Sequence, residues 1–236
     1  MSLRNLWSTD YTGQPFVLFG GPHLAALALV AALNLGWIVF GPDLSSSARL
    51  LLRATMAAGL LANEAVYHLW TLSNRQWTAR TMLPLHVCSL LVYLTAVLLV
   101  SGNAYAYEFC YFVGVGGALQ ALLTPDAGRY GFPHVRFFTT FISHALLFSA
   151  PLYLTLVEGY RPGWSSIARV SLELVALAVV VGLINWRLGS NYMYLMRPPD
   201  TPSLIDRLGP WPWYLLSLFA IALATFALLY LPFAFS

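Results

Sequence analysis

Long apolar stretches separated by short polar segments dominate the chain. A helix that crosses a membrane needs about 20 mostly apolar residues, and seven stretches approach or reach that length. They are predicted at 23–40, 49–70, 82–100, 104–124, 136–157, 167–188 and 212–233. The breaks between them carry turn-forming residues, for example Gly, Pro and Asp at 41–43. The pattern predicts an all-α fold, a polytopic membrane helix bundle of about seven transmembrane helices, with 1–236 as a single transmembrane domain.

Composition agrees with a membrane protein and excludes other classes. Hydrophobic residues make up 59% of the chain and charged residues 9%, whereas roughly a quarter of the residues in soluble domains are charged. The net charge of +3 is scattered through the loops, so the clustered basic surface that nucleic acid requires is not expected. The two cysteines, Cys88 and Cys110, both lie in apolar stretches and do not form a disulfide framework.

The arginines indicate the orientation, because cytoplasmic loops carry an excess of basic residues. The N-terminal segment and the alternate loops on its side carry eight arginines: Arg4, Arg75, Arg80, Arg129, Arg136, Arg187, Arg197 and Arg207. The opposite side carries four: Arg49, Arg53, Arg161 and Arg169. The count predicts a cytoplasmic N-terminus and an outside C-terminus.

Polar side chains within the predicted spans are costly in a bilayer and therefore point to a functional or structural role. There are ten: Asn63, Glu64, His68, His86, Cys88, Glu108, Gln120, His144, Glu173 and Asn185. His86 and Cys88 fall in the first two turns of the third predicted span. All except Glu108 and Glu173 fall in the half of the bilayer toward the arginine-rich side, on five different helices. We expect a polar chamber that opens toward that side.

Several of these residues also have a structural interpretation. His144 can be a packing residue bonded to a nearby carbonyl, and Glu64 and His68, four residues apart, can form a structural pair. Cys88 can be a small buried hydrophobe, as free cysteines often are. Cys110 is interpreted as a packing residue.

The chemistry that fits the chamber is acyl transfer or hydrolysis. Cys88 and His144 are predicted at similar depth, and a thiol beside an imidazole can pass its proton over and attack a carbonyl carbon. Glu64 or Asn185 can orient the imidazole. A substrate that enters laterally from the bilayer is a lipid ester, so membrane lipids are the expected partners. No cofactor or resident metal is expected.

Five sequence segments carry a resemblance that covers nearly the whole chain. They are Leu83-Pro84-Leu85-His86-Val87-Cys88, Gly-Gly-Ala-Leu-Gln-Ala-Leu-Leu-Thr-Pro at 116–125, Phe137-Phe138 with His144, Gly-Ser-Asn-Tyr-Met-Tyr-Leu at 189–195 with Arg197-Pro198, and Ser-Leu-Ile-Asp at 203–206 running into Gly-Pro-Trp-Pro-Trp-Tyr at 209–214. In these segments the chain resembles the bacterial YwaF-like family of integral membrane proteins, which is related to transmembrane protein 164 of animals.

The resemblance implies a site and a location. The animal relative is similar to a cysteine-centred lipid acyltransferase that moves a fatty acyl chain between phospholipid and lysophospholipid. Cys88 and His144 match its Cys and His, which implies that they are the catalytic residues here. Eight further residues are expected to bind substrate or support the pair: Asn63, Glu64, His68, His86, Gln120, Asn185, Asn191 and Tyr192. The expected location is a bacterial plasma membrane.

Two other functions stay open at this point. The chamber can be the binding site of a small-molecule transporter or receptor. Alternatively, His68, His86 and His144 with Glu64 can bind Zn²⁺ in an intramembrane metallohydrolase, since three imidazoles and a carboxylate are adequate zinc ligands.

Overall fold

The structure is a computed structural model that describes residues 3–200 and 203–235, so residues 1–2, 201–202 and 236 of the predicted single domain lie outside the described residues. Within the described ranges the regular elements are helices, and no strand is present. A short helix, α1 (Leu3–Trp7), begins the chain. It is followed by α2 (Gly21–Phe40), α3 (Ser46–Ser73), α4 (Val87–Ser101), α5 (Ala104–Leu123), α6 (Val135–Leu156), α7 (Trp164–Leu188) and α8 (Trp213–Tyr230).

Each predicted span overlaps one of the helices α2 to α8. Among the described residues, five helices are long and apolar enough to cross a membrane, namely α2, α5, α6, α7 and α8 with the short 3₁₀ turn that follows it. α3 has 28 residues but carries polar side chains such as Arg53 and Glu64, and α4 is apolar but has only 15 residues. The prediction of an all-α, polytopic helix bundle is confirmed, and the protein is an integral membrane protein.

The third predicted span begins too early. α4 begins at Val87 rather than at residue 82, because Pro84 has no backbone N–H and the chain around it forms a tight turn. The Leu85 N–H donates to the Leu83 carbonyl oxygen at 2.7 Å in that turn. His86 therefore precedes the helix and only its carbonyl oxygen joins the helical pattern, accepting from the Leu90 N–H at 3.0 Å.

The chain divides into two compact units, and the boundary between them falls twice within residues 76–91 and once after Tyr160. The first unit comprises the described parts of Met1–Gln76 and Leu91–Tyr160. Its central helix is α6, which packs against α2, α3 and α5. A π-helical turn, Cys110–Val115, interrupts α5 and brings Gly114 close to α6. A Cβ at Gly114 would lie 3.4 Å from the Leu147 carbonyl oxygen, so α5 and α6 approach to van der Waals contact at this position.

The second unit comprises Trp77–Leu90 and the described parts of Arg161–Ser236. In it α7 packs against α8 and against the turn at Tyr192–Tyr194. α7 is capped by Gly189, whose φ of +63° lies in the left-handed region that glycine adopts without strain. The chain then turns back on the end of α7 at Tyr192–Tyr194.

Candidate functional site

The predicted site residues are divided between the two units. The first unit holds Asn63, Glu64, His68, Gln120 and His144, and the second holds His86, Cys88, Asn185, Asn191 and Tyr192. The pairing of Cys88 with His144 takes one residue from each unit and stays a prediction. The polar chamber, predicted from residues on five helices, likewise stays a prediction.

His144 is half-buried on α6, and its ring has a defined tautomer. Its Nδ1 lies 2.8 Å from the carbonyl oxygen of Thr140, one helical turn earlier. A carbonyl oxygen can only accept, so Nδ1 carries the hydrogen and Nε2 carries the lone pair. A neutral imidazole in this form can take a proton at Nε2, which is what a general base does.

Glu64 and His68 form a pair on α3, in which His68 Nε2 lies 3.4 Å from Glu64 Oε1. The neighbouring Asn63 is buried, and its side-chain amide donates to the Thr139 carbonyl oxygen at 3.0 Å. Asn63 therefore fastens α3 to α6, and the interpretation of Glu64 and His68 as a pair at helical spacing fits their geometry.

Arg136, which the sequence suggests only as an orientation signal, lies beside this group at the start of α6. Its guanidinium carbon is 4.2 Å from the centroid of the Tyr67 ring. Its charge also acts electrostatically on Glu64 and on His144. Arg136 is thus a functional candidate of the first unit, and its position four residues before Thr140 and eight before His144 is the sequence signal that finds it.

The place of Gln120 in the polar chamber stays a prediction. The structure places its side chain on an exposed part of α5. Only its backbone carbonyl has a defined role, accepting from the Thr124 hydroxyl at 3.0 Å and from the Thr124 N–H at 2.8 Å. Depth along a helix does not determine which face a residue occupies.

Cys88 is half-buried in the first turn of α4, and the segment that leads to it is held by Tyr192. The Tyr192 hydroxyl accepts from the Leu83 N–H at 2.8 Å and donates to the Ala79 carbonyl oxygen at 2.9 Å. Burial raises the pKa of this hydroxyl, although the bond from the Leu83 N–H opposes the shift. Tyr192 therefore stays a neutral hydroxyl that both donates and accepts.

His86 packs edge-on against the Tyr192 ring, with the ring centroids 5.2 Å apart. Its Nδ1 accepts from the Met193 N–H at 3.3 Å, so its hydrogen resides on Nε2. This is the opposite tautomer to that of His144. His86 is consequently a residue that holds the turn before Cys88.

Asn185 and Asn191 fix the turn that carries Tyr192. The fully buried Asn185 accepts from the Tyr192 N–H at 2.8 Å and donates to the Tyr192 carbonyl oxygen at 2.9 Å. Asn191 accepts from the Met196 and Arg197 N–H groups at 3.1 and 3.2 Å. Together they position the residues that hold the segment before Cys88.

The turn itself is strained. Met193 and Tyr194 have φ angles of +57° and +52°, in the left-handed region that L-residues rarely adopt. The Tyr214 hydroxyl donates to the Tyr194 carbonyl oxygen. Strained backbone of this kind persists only where its surroundings hold it, and it is concentrated at functional sites.

Cys110 differs from Cys88 in its surroundings. It is fully buried in the π-helical turn of α5, and the Thr95 hydroxyl donates to its Sγ at 3.4 Å. These contacts fit its interpretation as a packing residue.

Two buried histidines of the first unit have purely structural contacts. His23 Nδ1 accepts from the Phe19 N–H at 2.9 Å, and its other ring nitrogen bonds the Leu122 carbonyl oxygen at 2.8 Å. His134 Nδ1 accepts from the Arg136 N–H at 3.1 Å, and its Nε2 lies 3.0 Å from the Ser8 carbonyl oxygen. In both rings the two nitrogens are occupied by backbone partners.

Within the described ranges, no three His, Cys, Asp or Glu side chains are grouped so that they could hold a metal ion. No curated protein and no solved structure matches the chain. A family model described as the TMEM164 family matches residues 18–230, a range that includes all ten predicted site residues. The predicted relationship to transmembrane protein 164 is confirmed: the chain belongs to the TMEM164 family.

Proposed function

We propose that this protein is a membrane-embedded lipid acyltransferase, or acyl hydrolase, in which Cys88 is the nucleophile and His144 is the general base. The observation that carries the proposal is the tautomer of His144, whose Nδ1 is occupied by the Thr140 carbonyl oxygen while Nε2 keeps its lone pair. Membership of the TMEM164 family supports it, and the sequence resemblance implies that Cys88 and His144 match the cysteine and histidine of an acyltransferase.

The reaction proceeds in two steps. The Cys88 thiol gives its proton to Nε2 of His144, and the thiolate sulfur attacks the carbonyl carbon of a lipid ester. A C–S bond forms, the ester C–O bond breaks, and the leaving oxygen takes the proton from Nε2. An acceptor hydroxyl then gives its proton to Nε2 and attacks the thioester, which releases the thiolate to regain that proton. With a lysophospholipid as acceptor the result is acyl transfer, and with water it is hydrolysis.

Five of the remaining predicted residues act as supports in this scheme. Asn185, Asn191, Tyr192 and His86 hold the segment that precedes Cys88. On the other unit, Asn63 fastens α3 to the helix that carries His144. These residues maintain the position of a reacting group without exchanging protons with the substrate.

The expected substrates are membrane lipids, a phospholipid as donor and a lysophospholipid as acceptor. The apolar helices make the lipid bilayer the medium in which such a substrate arrives. The excess of arginines on one side supports a cytoplasmic N-terminus, and the family resemblance supports a bacterial plasma membrane.

The test is capture of an acyl-thioester intermediate on the purified protein. A phospholipid with a fluorescent acyl chain should label the protein through a bond that hydroxylamine cleaves, as it does thioesters. Cys88→Ala should abolish the label, whereas Cys110→Ala should retain it, and both variants should unfold thermally near the wild-type midpoint. Equal acyl transfer by wild type and folded Cys88→Ala would exclude the thiol as nucleophile and reject the proposal.

A further inference from the structure

The Arg136 side chain is restrained by two aromatic rings. Its guanidinium carbon lies 4.2 Å from the Tyr67 ring centroid and 5.6 Å from the Trp70 ring centroid. Trp70 is buried, and its indole N–H donates to the Trp7 carbonyl oxygen at 2.9 Å. These ring contacts limit the orientations of the guanidinium, whereas an arginine side chain that extends into water has no such limit.

No carboxylate forms a direct ion pair with this restrained cation within the described part of the chain. Among those residues, no oxygen accepts a hydrogen bond from the Arg136 guanidinium. Glu64 acts on the charge from a distance, but its Oε1 is engaged by His68 at 3.4 Å. An arginine keeps its charge and presents five N–H donors in a fixed fork. The fork matches the oxygens of a phosphate or carboxylate.

The position of Arg136 in the sequence indicates which anion it meets. It is the second residue of α6, a helix long and apolar enough to span a membrane. An arginine at the end of such a helix lies at the level of the lipid headgroups. Arg136, Thr140 and His144 are four residues apart and lie on one face of α6.

We infer that Arg136 binds the phosphate group of a membrane phospholipid through bidentate hydrogen bonds, with Tyr67 and Trp70 restraining the guanidinium. The inference deepens the proposed function, since the assignment of this lipid as the acyl donor rests on that function, although the binding itself requires no reaction. The ester bonds of a glycerophospholipid lie on the acyl-chain side of its phosphate. A phosphate at Arg136 therefore leaves the esters on the side of the headgroup that faces His144, which lies about 12 Å further along the helix at 1.5 Å per residue.

The test compares two lipids that differ only in the phosphate. The purified full chain in a neutral detergent is titrated with dioctanoyl phosphatidic acid and with dioctanoylglycerol, and the bound lipid is measured by native mass spectrometry. We expect the wild type to prefer the phosphatidic acid by about tenfold or more, as one charge-assisted contact suggests. Arg136→Gln should lose this preference. Arg136→Lys, which keeps the charge but not the bidentate fork, should keep only part of it.

Two controls separate this site from general charge attraction and from the reaction. Arg75 is exposed on the same predicted side of the membrane, and Arg75→Gln should bind phosphatidic acid as the wild type does. Cys88→Ala should also bind normally, so a failure of acyl transfer in that variant leaves the binding result intact. Thermal unfolding of each variant shows whether a loss of binding comes from a loss of fold, and Arg136→Lys tests the site if Arg136→Gln does not fold.

Several results would contradict the inference that Arg136 binds the phosphate of a phospholipid. Equal affinity of Arg136→Gln and wild type for phosphatidic acid would overturn the inference, and so would an equal loss in Arg75→Gln. Equal binding of dioctanoylglycerol and phosphatidic acid would show that the phosphate is not recognised. Inorganic phosphate provides a separate arm. If it displaces the lipid at equal concentration, a free phosphate is the ligand and the assignment of a phospholipid is wrong; if it does not, the lipid is the source.

Discussion

His144 Nδ1 lies 2.8 Å from the carbonyl oxygen of Thr140, one turn earlier on the same helix. In many catalytic sites a carboxylate holds the tautomer and the orientation of the base. Here a backbone oxygen of α6 holds the tautomer. The helix that places the imidazole also determines which of its nitrogens can accept a proton.

This relationship predicts different effects for the two residues. His144→Ala removes the proposed base and should slow formation of the proposed Cys88 thioester by about 10²–10⁴. Thr140→Val keeps the carbonyl oxygen and nearly the same side-chain volume, so the thioester should form at close to the wild-type rate. Single-turnover kinetics with a fluorescent phospholipid measure both. A Thr140→Val variant as slow as His144→Ala would show that the threonine hydroxyl, and not the backbone oxygen, is the group that matters.

The two thiols should differ in reactivity. Cys110 is fully buried and accepts a hydrogen bond from Thr95, whereas Cys88 is half-buried. A small neutral maleimide should modify Cys88 first, and Cys110 at least about tenfold more slowly because it requires local opening. Mass spectrometry of the folded protein follows both modifications. Cys88→Ala should remove the fast modification and Cys110→Ala should retain it; fast modification of Cys110 in the folded chain would contradict the structure.

The helices could be predicted from the sequence because an apolar stretch of membrane length is a local signal. The start of α4 could not, since the turn around Pro84 is held by the Tyr192 hydroxyl, 109 residues away from Leu83 in the sequence. The structural role of His23 could not be predicted for a similar reason. Its ring bonds the carbonyl oxygen of Leu122, 99 residues later, and only its presence at the beginning of an apolar stretch signals it.

The candidate site shows the same limit. The tautomer of His144 depends on Thr140, four residues away, and such spacing can be read from the sequence. The exposure of Gln120 depends on which face of α5 packs against its neighbours, and the apolar pattern around it does not determine that face. Arg136 is a functional candidate because it contacts Tyr67, which lies on a different helix. A count of the charges along the chain identifies only the side of the membrane on which Arg136 lies.

Asn185 should be more important for stability than Asn191. The Asn185 side chain satisfies both backbone groups of Tyr192 in a buried position. Asn185→Ala should lower the free energy of unfolding by about 2–4 kcal/mol, because each buried polar group left unpaired costs about 1–3 kcal/mol. Asn191 bonds backbone groups in exposed surroundings, where water can replace it, so Asn191→Ala should cost about 1 kcal/mol or less. Thermal unfolding in detergent compares the two, and equal midpoints would refute the role assigned to Asn185.

His134 should make stability depend on pH. Its Nδ1 accepts from the Arg136 N–H and caps α6, while Nε2–H donates to the Ser8 carbonyl oxygen, an arrangement that needs the neutral ring. Burial lowers the pKa of His134 from its ordinary value of 6.5; the bond to Ser8 opposes this shift, and the charges of Arg136 and Arg129 add to it. The folded state therefore binds the proton less readily than the unfolded state does. The resulting stabilisation is complete above the unfolded-state pKa and is lost as the pH falls through the folded-state pKa.

The His134→Asn variant isolates this contribution, because asparagine is among the best helix N-caps and does not titrate in this range. The other four histidines are the same in both proteins, so their effects cancel in the comparison. As the pH falls below about 6.5, the ordinary value for histidine, the wild-type midpoint of thermal unfolding should fall more steeply than that of His134→Asn. Well above that value the difference between the two midpoints should become constant. If the two proteins show parallel midpoints over the whole range, protonation of His134 does not release the cap of α6.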